Sequence, residues 1–429
     1  MNDSTVASSL YERVFALEEG DPKKPGFLNF VGDLFWARYR AGYNPIDLDR
    51  TISSHEGSAT LTSDVDPDKP TRLVDLGVAL VARFSRAGEF VDIDRACNCF
   101  EKSLHLEPPR PLACAIMRNL GAALDQRFVC SGDILDLDRS ITILRQAVEL
   151  APEADSSKPG SLNNLGGALL RRYDQLGNIS DLGESISSRK EAVDQTHERD
   201  PAKPGRLSNL GTVFEARFDR LGDISDLEDA ITAHQLAVNI APDEFPDKAA
   251  LLNNLGGSLQ KKFERLGNID DLEAAIDLKR MAVDLSPNGH PDKPEHISTL
   301  GSALKARFNI RGDLLDLNAS VAAMQEALDL MPEGHPDRSA ALNNVGMALE
   351  TRFDRLGDIS DLDASVAAKK MAIESMSPGA HNRAACLSNL GLAFRRRFDR
   401  LGDITDLEAA ISTMQMAVEL IADGHPNKP

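Results

Sequence analysis

Apolar and polar residues alternate along this chain with the period of a helix, and one such pattern recurs nine times. In LSNLGTVFEARFDRLGDISDLEDAI, Leu207, Leu210, Phe214 and Phe218 stand at −4, −1, +3 and +7 relative to Gly211. At ~100° per residue these positions fall within one ~80° sector, the buried stripe of an amphipathic helix. A Leu-Gly-Asp or Leu-Gly-Asn sequence ends that helix, with Gly222 as its C-terminal glycine. A second helix is then predicted to open with a capping box, pairing Ser225 with Glu228, Asp270 with Glu273 and Thr405 with Glu408. Small residues recur in it at +19 and +26, such as Ala230 and Ala237, where two helices must approach closely. Prolines such as Pro242, Pro287 and Pro332 stop it.

The marker glycines are Gly32, Gly77, Gly121, Gly166, Gly211, Gly256, Gly301, Gly346 and Gly391, spaced 45, 44, 45, 45, 45, 45, 45 and 45 residues apart. Position +7 is Tyr or Phe in all nine units, from Tyr39 to Phe398. The predicted organisation is a half repeat over residues 1–25, reading as a helix-two-like segment and linker, then nine repeats over 26–429 forming one solenoid. Neither end carries an obvious polar capping repeat, which favours a module of a longer protein. A finer beat of 90 residues runs through the centre, with Lys190, Arg280 and Lys370 at +24 and Gln235, Gln325 and Gln415 in the intervening units. Asn163, Asn253 and Asn343 follow it. The second half of the first unit, SSHEGSATLTSD, reads as a poor helix former.

These landmarks resemble the tetratricopeptide repeat (TPR), in which a helix pair carries a large apolar residue, Leu-Gly, an aromatic, two alanines and a proline. In the fifth unit they are Leu207, Leu210, Gly211, Phe214, Ala230, Ala237 and Pro242. The usual unit is ~34 residues. Of the eleven extra residues here, seven lie between the glycine and the first alanine, so the first helix should be longer by one to two turns. The LxNLG start resembles kinesin-light-chain-type repeats, and the LGDxxDL version resembles the arrays that precede caspase-like CHAT protease domains in fungal proteins. The resemblance implies an all-α fold, a right-handed α-solenoid of helix pairs, built for protein–protein interaction.

Composition narrows the function further. Aromatics are only 5%, which speaks against a β-rich protein, and no apolar run reaches the length of a membrane helix. A net charge of −19 weighs against a nucleic-acid partner, because phosphate binding needs a basic face. Five scattered cysteines and a charged N-terminus point to reduced thiols and a cytoplasmic location. Cys97 and Cys99 lie ~200° apart around a helix and read as buried thiols, not metal ligands. His290, His335 and His425 sit in dispersed Gly-His-Pro linkers. No P-loop, dinucleotide fingerprint or HExxH is present, so the chain reads as non-enzymatic, without catalytic residues, metal or cofactor.

Two repeated polar sets remain. Arg or Lys stands at +6 in every unit (Arg38, Arg83, Arg127, Arg172, Arg217, Lys262, Arg307, Arg352, Arg397), and Asp stands at +15, from Asp47 to Asp406. They read either as a ladder for an anionic ligand or as charges that suit the helix dipoles and pair across the turn. Asn119, Asn164, Asn209, Asn254, Asn344 and Asn389, at −2, point ~145° from the apolar stripe. They either line a concave groove and bind a peptide backbone, or link neighbouring helices. Specificity is expected where the first helix varies between units, at −3, +1, +4 and +5. There Arg171, Lys261, Lys305, Arg395 and Arg396 would make part of the groove basic and favour an acidic peptide. Three functions stay open: a scaffold that holds a partner segment in this groove, a regulatory array for a CHAT-type protease, and a self-associating superhelix.

Overall fold

The structure, a computed structural model, describes residues 3–152, 157–335, 337–376 and 382–420. The end of the ninth repeat up to Pro429, with His425, lies outside the described residues. Those described form nineteen α-helices and no strand. α1 (Asp3–Phe15) is followed by nine pairs, and the chain packs as two compact units, Met1–Ala241 and Pro242–Pro429.

The first unit holds five pairs after α1. They are α2 (Lys24–Gly42) with α3 (Pro45–Leu61), α4 (Lys69–Ala87) with α5 (Phe90–His105), α6 (Arg110–Ser131) with α7 (Ile134–Leu150), α8 (Lys158–Leu176) with α9 (Ile179–Asp194), and α10 (Lys203–Leu221) with α11 (Ile224–Ile240). The second unit holds α12 (Lys248–Leu266) with α13 (Ile269–Leu285), α14 (Lys293–Arg311) with α15 (Leu314–Leu330), α16 (Arg338–Leu356) with α17 (Ile359–Glu374), and α18 (Arg383–Leu401) with α19 (Ile404–Leu420). Within each unit a second helix packs on its own first helix and on the next first helix, as α7 does on α6 and α8. First helices also touch one another, α6 on α8 and α12 on α14, so they form one row in each unit.

Of the predicted stripe in α10, Leu207 and Leu210 are closed off, whereas Phe214 and Phe218 are half-buried and Val213, at +2, is fully buried beside them. In α16, Leu342, Val345, Ala348 and Leu349 are closed off. In the second helices the +19 and +26 residues are buried throughout, from Thr51 and Ser58 to Ala410 and Ala417. A larger side chain at these positions would force the two helices apart. The turn between the helices closes on the aromatic at +7: the Gly222 N–H donates to the Phe218 carbonyl at 2.7 Å, with Gly222 at φ 71°. An L side chain is strained in that left-handed conformation, which is why glycine holds the position.

Two local expectations are corrected. The second helix is not capped by Ser225, Asp270 or Thr405. The N-caps are Asp223, Asn268 and Asp403, whose side chains accept the N–H groups of those same residues. The acid of Leu-Gly-Asp caps the helix two residues upstream of the proposed box, because the turn after glycine leaves its carboxylate over the first free N–H groups. The segment SSHEGSATLTSD is also helical: α3 runs on to Leu61. Tertiary partners replace the local propensity it lacks. Ser58 is buried and donates to the Pro25 carbonyl at 2.8 Å, and Thr62 donates to the Ser58 carbonyl at 2.7 Å.

Candidate functional site

The +6 and +15 charges are spent on the array itself. The Arg127 guanidinium donates to Asp136 through Nε at 2.8 Å and Nη2 at 2.5 Å, and through Nη1 to Asp94 of the preceding repeat at 2.8 Å. Arg83, Arg172, Arg307 and Arg397 make the same double connection, to Asp92 and Asp49, Asp181 and Asp138, Asp316 and Glu273, and Asp406 and Asp363. Arg38, Arg217, Lys262 and Arg352 pair with Asp47, Asp226, Asp271 and Asp361. The planar five-donor guanidinium can hold one carboxylate in a fork and reach another. Each such arginine thus ties the turn inside its repeat and, where an acid stands at +17, staples that repeat to the one before it.

The −2 asparagines are all half-buried. Asn209 donates to Asn163 at 3.0 Å, and Asn389 donates to Asn343 at 3.1 Å, each reaching the −3 residue of the preceding repeat. Thr299 uses its hydroxyl on Asn253 in the same way. Asn29 donates to Asp75 at 3.3 Å. This accounts for the 90-residue beat of Asn163, Asn253 and Asn343: each is the acceptor for the −2 residue one repeat later. Asn164 accepts from the neighbouring Asn163 amide at 3.5 Å, and Asn119, Asn254 and Asn344 occupy the same half-buried register.

The basic residues at +4 and +5 are distributed unevenly. Arg171 meets Asp125 at 2.8 Å, and Arg396 meets Asp354 at 2.8 Å. Arg395 is the most open, 65% exposed in its side chain, with Asp399 at 3.9 Å. Lys261 and Lys305 are half-buried, and burial lowers the Lys305 pKa while the nearby Glu350 carboxylate opposes that shift.

Sequence reasoning missed the most unusual row, at +23. There the second helix lays one side chain across the marker glycine: His55 on Gly32, Phe100 on Gly77, Leu144 on Gly121, Arg189 on Gly166, His234 on Gly211, Lys279 on Gly256 and Lys369 on Gly346. A Cβ on these glycines would meet the covering side chain at 2.5–3.0 Å. Glycine therefore marks each unit because a long side chain fills its place. Five of these covering residues are ionisable and buried. Lys369 reaches Glu350 at 2.7 Å and the Asn389 carbonyl at 3.2 Å; Lys279 reaches the Gln260 amide oxygen at 2.7 Å and the Thr299 carbonyl at 3.3 Å. Arg189 donates to the Asn209 carbonyl, and burial pushes its pKa down to about 10. His234, 1% exposed, has Ser208 Oγ at 3.2 Å and Glu215 at 3.7 Å, and burial lowers it to about 4. A signal was available: +16, +19, +23 and +26 fall on one helical face, so a charge at +23 sits inside the buried stripe. The exposed Lys190, Arg280 and Lys370 are one residue further on.

In the first two repeats the same register gathers three possible ligands. One atom each from Asp33, His55 and Asp75 lie within 4.8 Å of one another. Burial pushes the Asp75 carboxyl up to about 6, with Asn29 opposing and Asp33 adding to the shift, and burial lowers His55 to about 4. The cysteines hold no comparable group: Cys97 and Cys99 are buried, with burial raising them to about 12 and 11. His290 and His335 accept the backbone N–H groups of Asp292 and Asp337 at 3.2 Å, shaping the linker turns. Among the described residues no helix is long and apolar enough to cross a membrane.

The paired helices, marker glycines and covering side chains define an array of tetratricopeptide-type repeats. Solved structures with similar helix arrays include Podospora anserina putative kinesin light chain nearly identical TPR-like repeats, at 14% identity over 51% of this chain and 98% of that one, TM-score 0.38. YrrB, described as a TPR protein with an unusual peptide-binding site, matches at 17% identity over 57% of this chain and 98% of its own, TM-score 0.32. A human IFIT1 dimer with m7Gppp-AAAA matches at 12% identity over 97% and 94%, TM-score 0.45. No family model and no curated protein sequence matches the chain.

Proposed function

We propose that the chain is a non-enzymatic scaffold that binds a peptide or partner segment along the row of first helices. The observation that carries this reading is a division of labour within each first helix. The apolar stripe and the +6 cation are committed to the array, whereas +4 and +5 differ from repeat to repeat, running through Trp36, Glu215, Gln260, Lys305 and Arg395 at +4 alone. Side chains that vary on a constant frame are what partner discrimination requires.

Arg171 and Arg396 already face carboxylates, so an acidic segment would have to displace Asp125 or Asp354 to use them. Arg395 offers the most accessible positive charge of the set. The test is a pull-down with the wild type and a variant carrying Arg395→Glu, Arg396→Glu, Lys261→Glu and Asn254→Ala. Helicity should be retained, since neither stripe nor caps are altered. An acidic partner should be depleted, and its residual binding should depend less on salt. Equal recovery of the same partners would remove these residues from the binding surface.

A further inference from the structure

We propose that Asp33, His55 and Asp75 form a site for one divalent transition-metal cation, of the kind that zinc or cobalt occupies, joining the first two repeats. The three side chains come from three helices. Asp33 is on α2, His55 on α3 and Asp75 on α4, and one ligand atom of each lies within 4.8 Å of the others. His55 is 2% exposed and held against Gly32, so its ring has no freedom to leave.

Asn29 organises the group. Its Nδ2 donates to Asp75 at 3.3 Å, which leaves its Oδ1, 3.3 Å from His55 Nδ1, to accept that nitrogen's proton. The imidazole is then the tautomer with a lone pair on Nε2, and Nε2 lies 3.9 Å from Asp33 Oδ1. A neutral imidazole and two carboxylates balance a dication, and mixed nitrogen and oxygen donors suit zinc-like metals over calcium. Bonds of ~2.0–2.2 Å require the ligands to draw closer. Asp33, 60% exposed in its side chain, can swing inward to do so.

The repeat register supplies an independent argument. Asp33 stands at +1 and Asp75 at −2, and each is the single acid among the nine residues at its register. Position +23 is histidine in only two of nine repeats, and at the other, His234, the ring is met by Ser208 and Glu215. Three departures from the common pattern converge on one point. Two carboxylates brought to within 4.8 Å of one imidazole repel each other unless a counter-charge stands between them, and a dication supplies that charge.

The experiment uses the full chain, stripped with chelator and titrated with Zn(II) by calorimetry and with Co(II) by visible absorption. One equivalent should bind and raise the melting temperature. Asp33→Asn and Asp75→Asn should each weaken binding on the order of a hundredfold, and Asn29→Ala by about tenfold through loss of ring orientation. His290→Gln should bind as the wild type does. Should Asp75→Asn fail to fold, the exposed Asp33→Asn decides alone. Undiminished binding in Asp33→Asn, or binding lost in His290→Gln instead, would overturn the site.

Discussion

Lys369 lies across Gly346 so closely that a Cβ on the glycine would meet its Cγ at 2.8 Å, and its ammonium continues to Glu350 at 2.7 Å. The same relation, a +23 side chain seated on a marker glycine, recurs with different chemistry along the array. It makes the glycine a packing residue and leaves its helical backbone ordinary.

That relation separates two kinds of glycine. Gly77→Ala would place a Cβ 2.6 Å from the rigid Phe100 ring and should destabilise the protein by about 1–3 kcal/mol. Gly257→Ala, in a first helix with nothing within 4 Å, should be neutral or stabilising by up to about 1 kcal/mol. Chemical denaturation of the two variants checks the contrast, and equal effects would show that the seat is not tight.

The ladder should behave as a structural staple. Arg127→Ala leaves the buried Asp136 without its fork and cuts the link to Asp94. A loss of about 2 kcal/mol is expected, with Arg127→Lys recovering only part because an ammonium cannot hold both carboxylates in plane. Partner recovery at a temperature well below melting should not change. Lost binding at unchanged stability would move the ladder to the ligand side.

The position of the cap is testable in one turn. Asp223→Ala removes the side chain that accepts the Ser225 N–H at 3.0 Å and should lower the melting temperature measurably. Ser225→Ala should lower it much less. The reverse order would restore the capping box that the sequence pattern predicts.

Buried His234 gives the protein an acid limit. Its folded pKa of about 4 lies below the ordinary 6.5, so the unfolded chain takes up the proton first. The stability it permits is present above 6.5 and is lost as pH falls through the window toward 4. Asp75, raised from 3.8 to about 6, acts with the opposite sign over an overlapping range, and His55, lowered to about 4, acts with the same sign, so the raw profile mixes all three. His234→Met isolates the histidine, since Met324 already covers Gly301 at the same register. Between pH 7 and pH 4 the wild type should lose up to about 3 kcal/mol more than the variant. Parallel denaturation profiles would refute this.

Much of the molecule was legible because its information is periodic. Leu207, Leu210 and Phe214 announce a helix face by spacing alone, and Gly222 announces its end, since both follow from local backbone geometry. The cap was misplaced by two residues because Ser225 and Asp223 are both good N-cap residues, and only the turn geometry chooses between them. The candidate surface was legible as a set of variable positions. Its pairing was not: Arg171 with Asp125 and Arg396 with Asp354 each join adjacent repeats, 46 and 42 residues apart in sequence.

What the sequence by itself determined is the repeat: helix pairs of 44 or 45 residues, their apolar faces, their glycine turns and the charges at +6 and +15. These depend on neighbours within a turn or two, where spacing is enough. What only the tertiary structure decided is which polar groups meet. Asn209 finds Asn163, Lys369 finds Glu350, and Asp33, His55 and Asp75 converge from three helices. Such encounters depend on how one repeat is seated on the next, and burial then makes each unmatched charge costly enough that the partner has to be there.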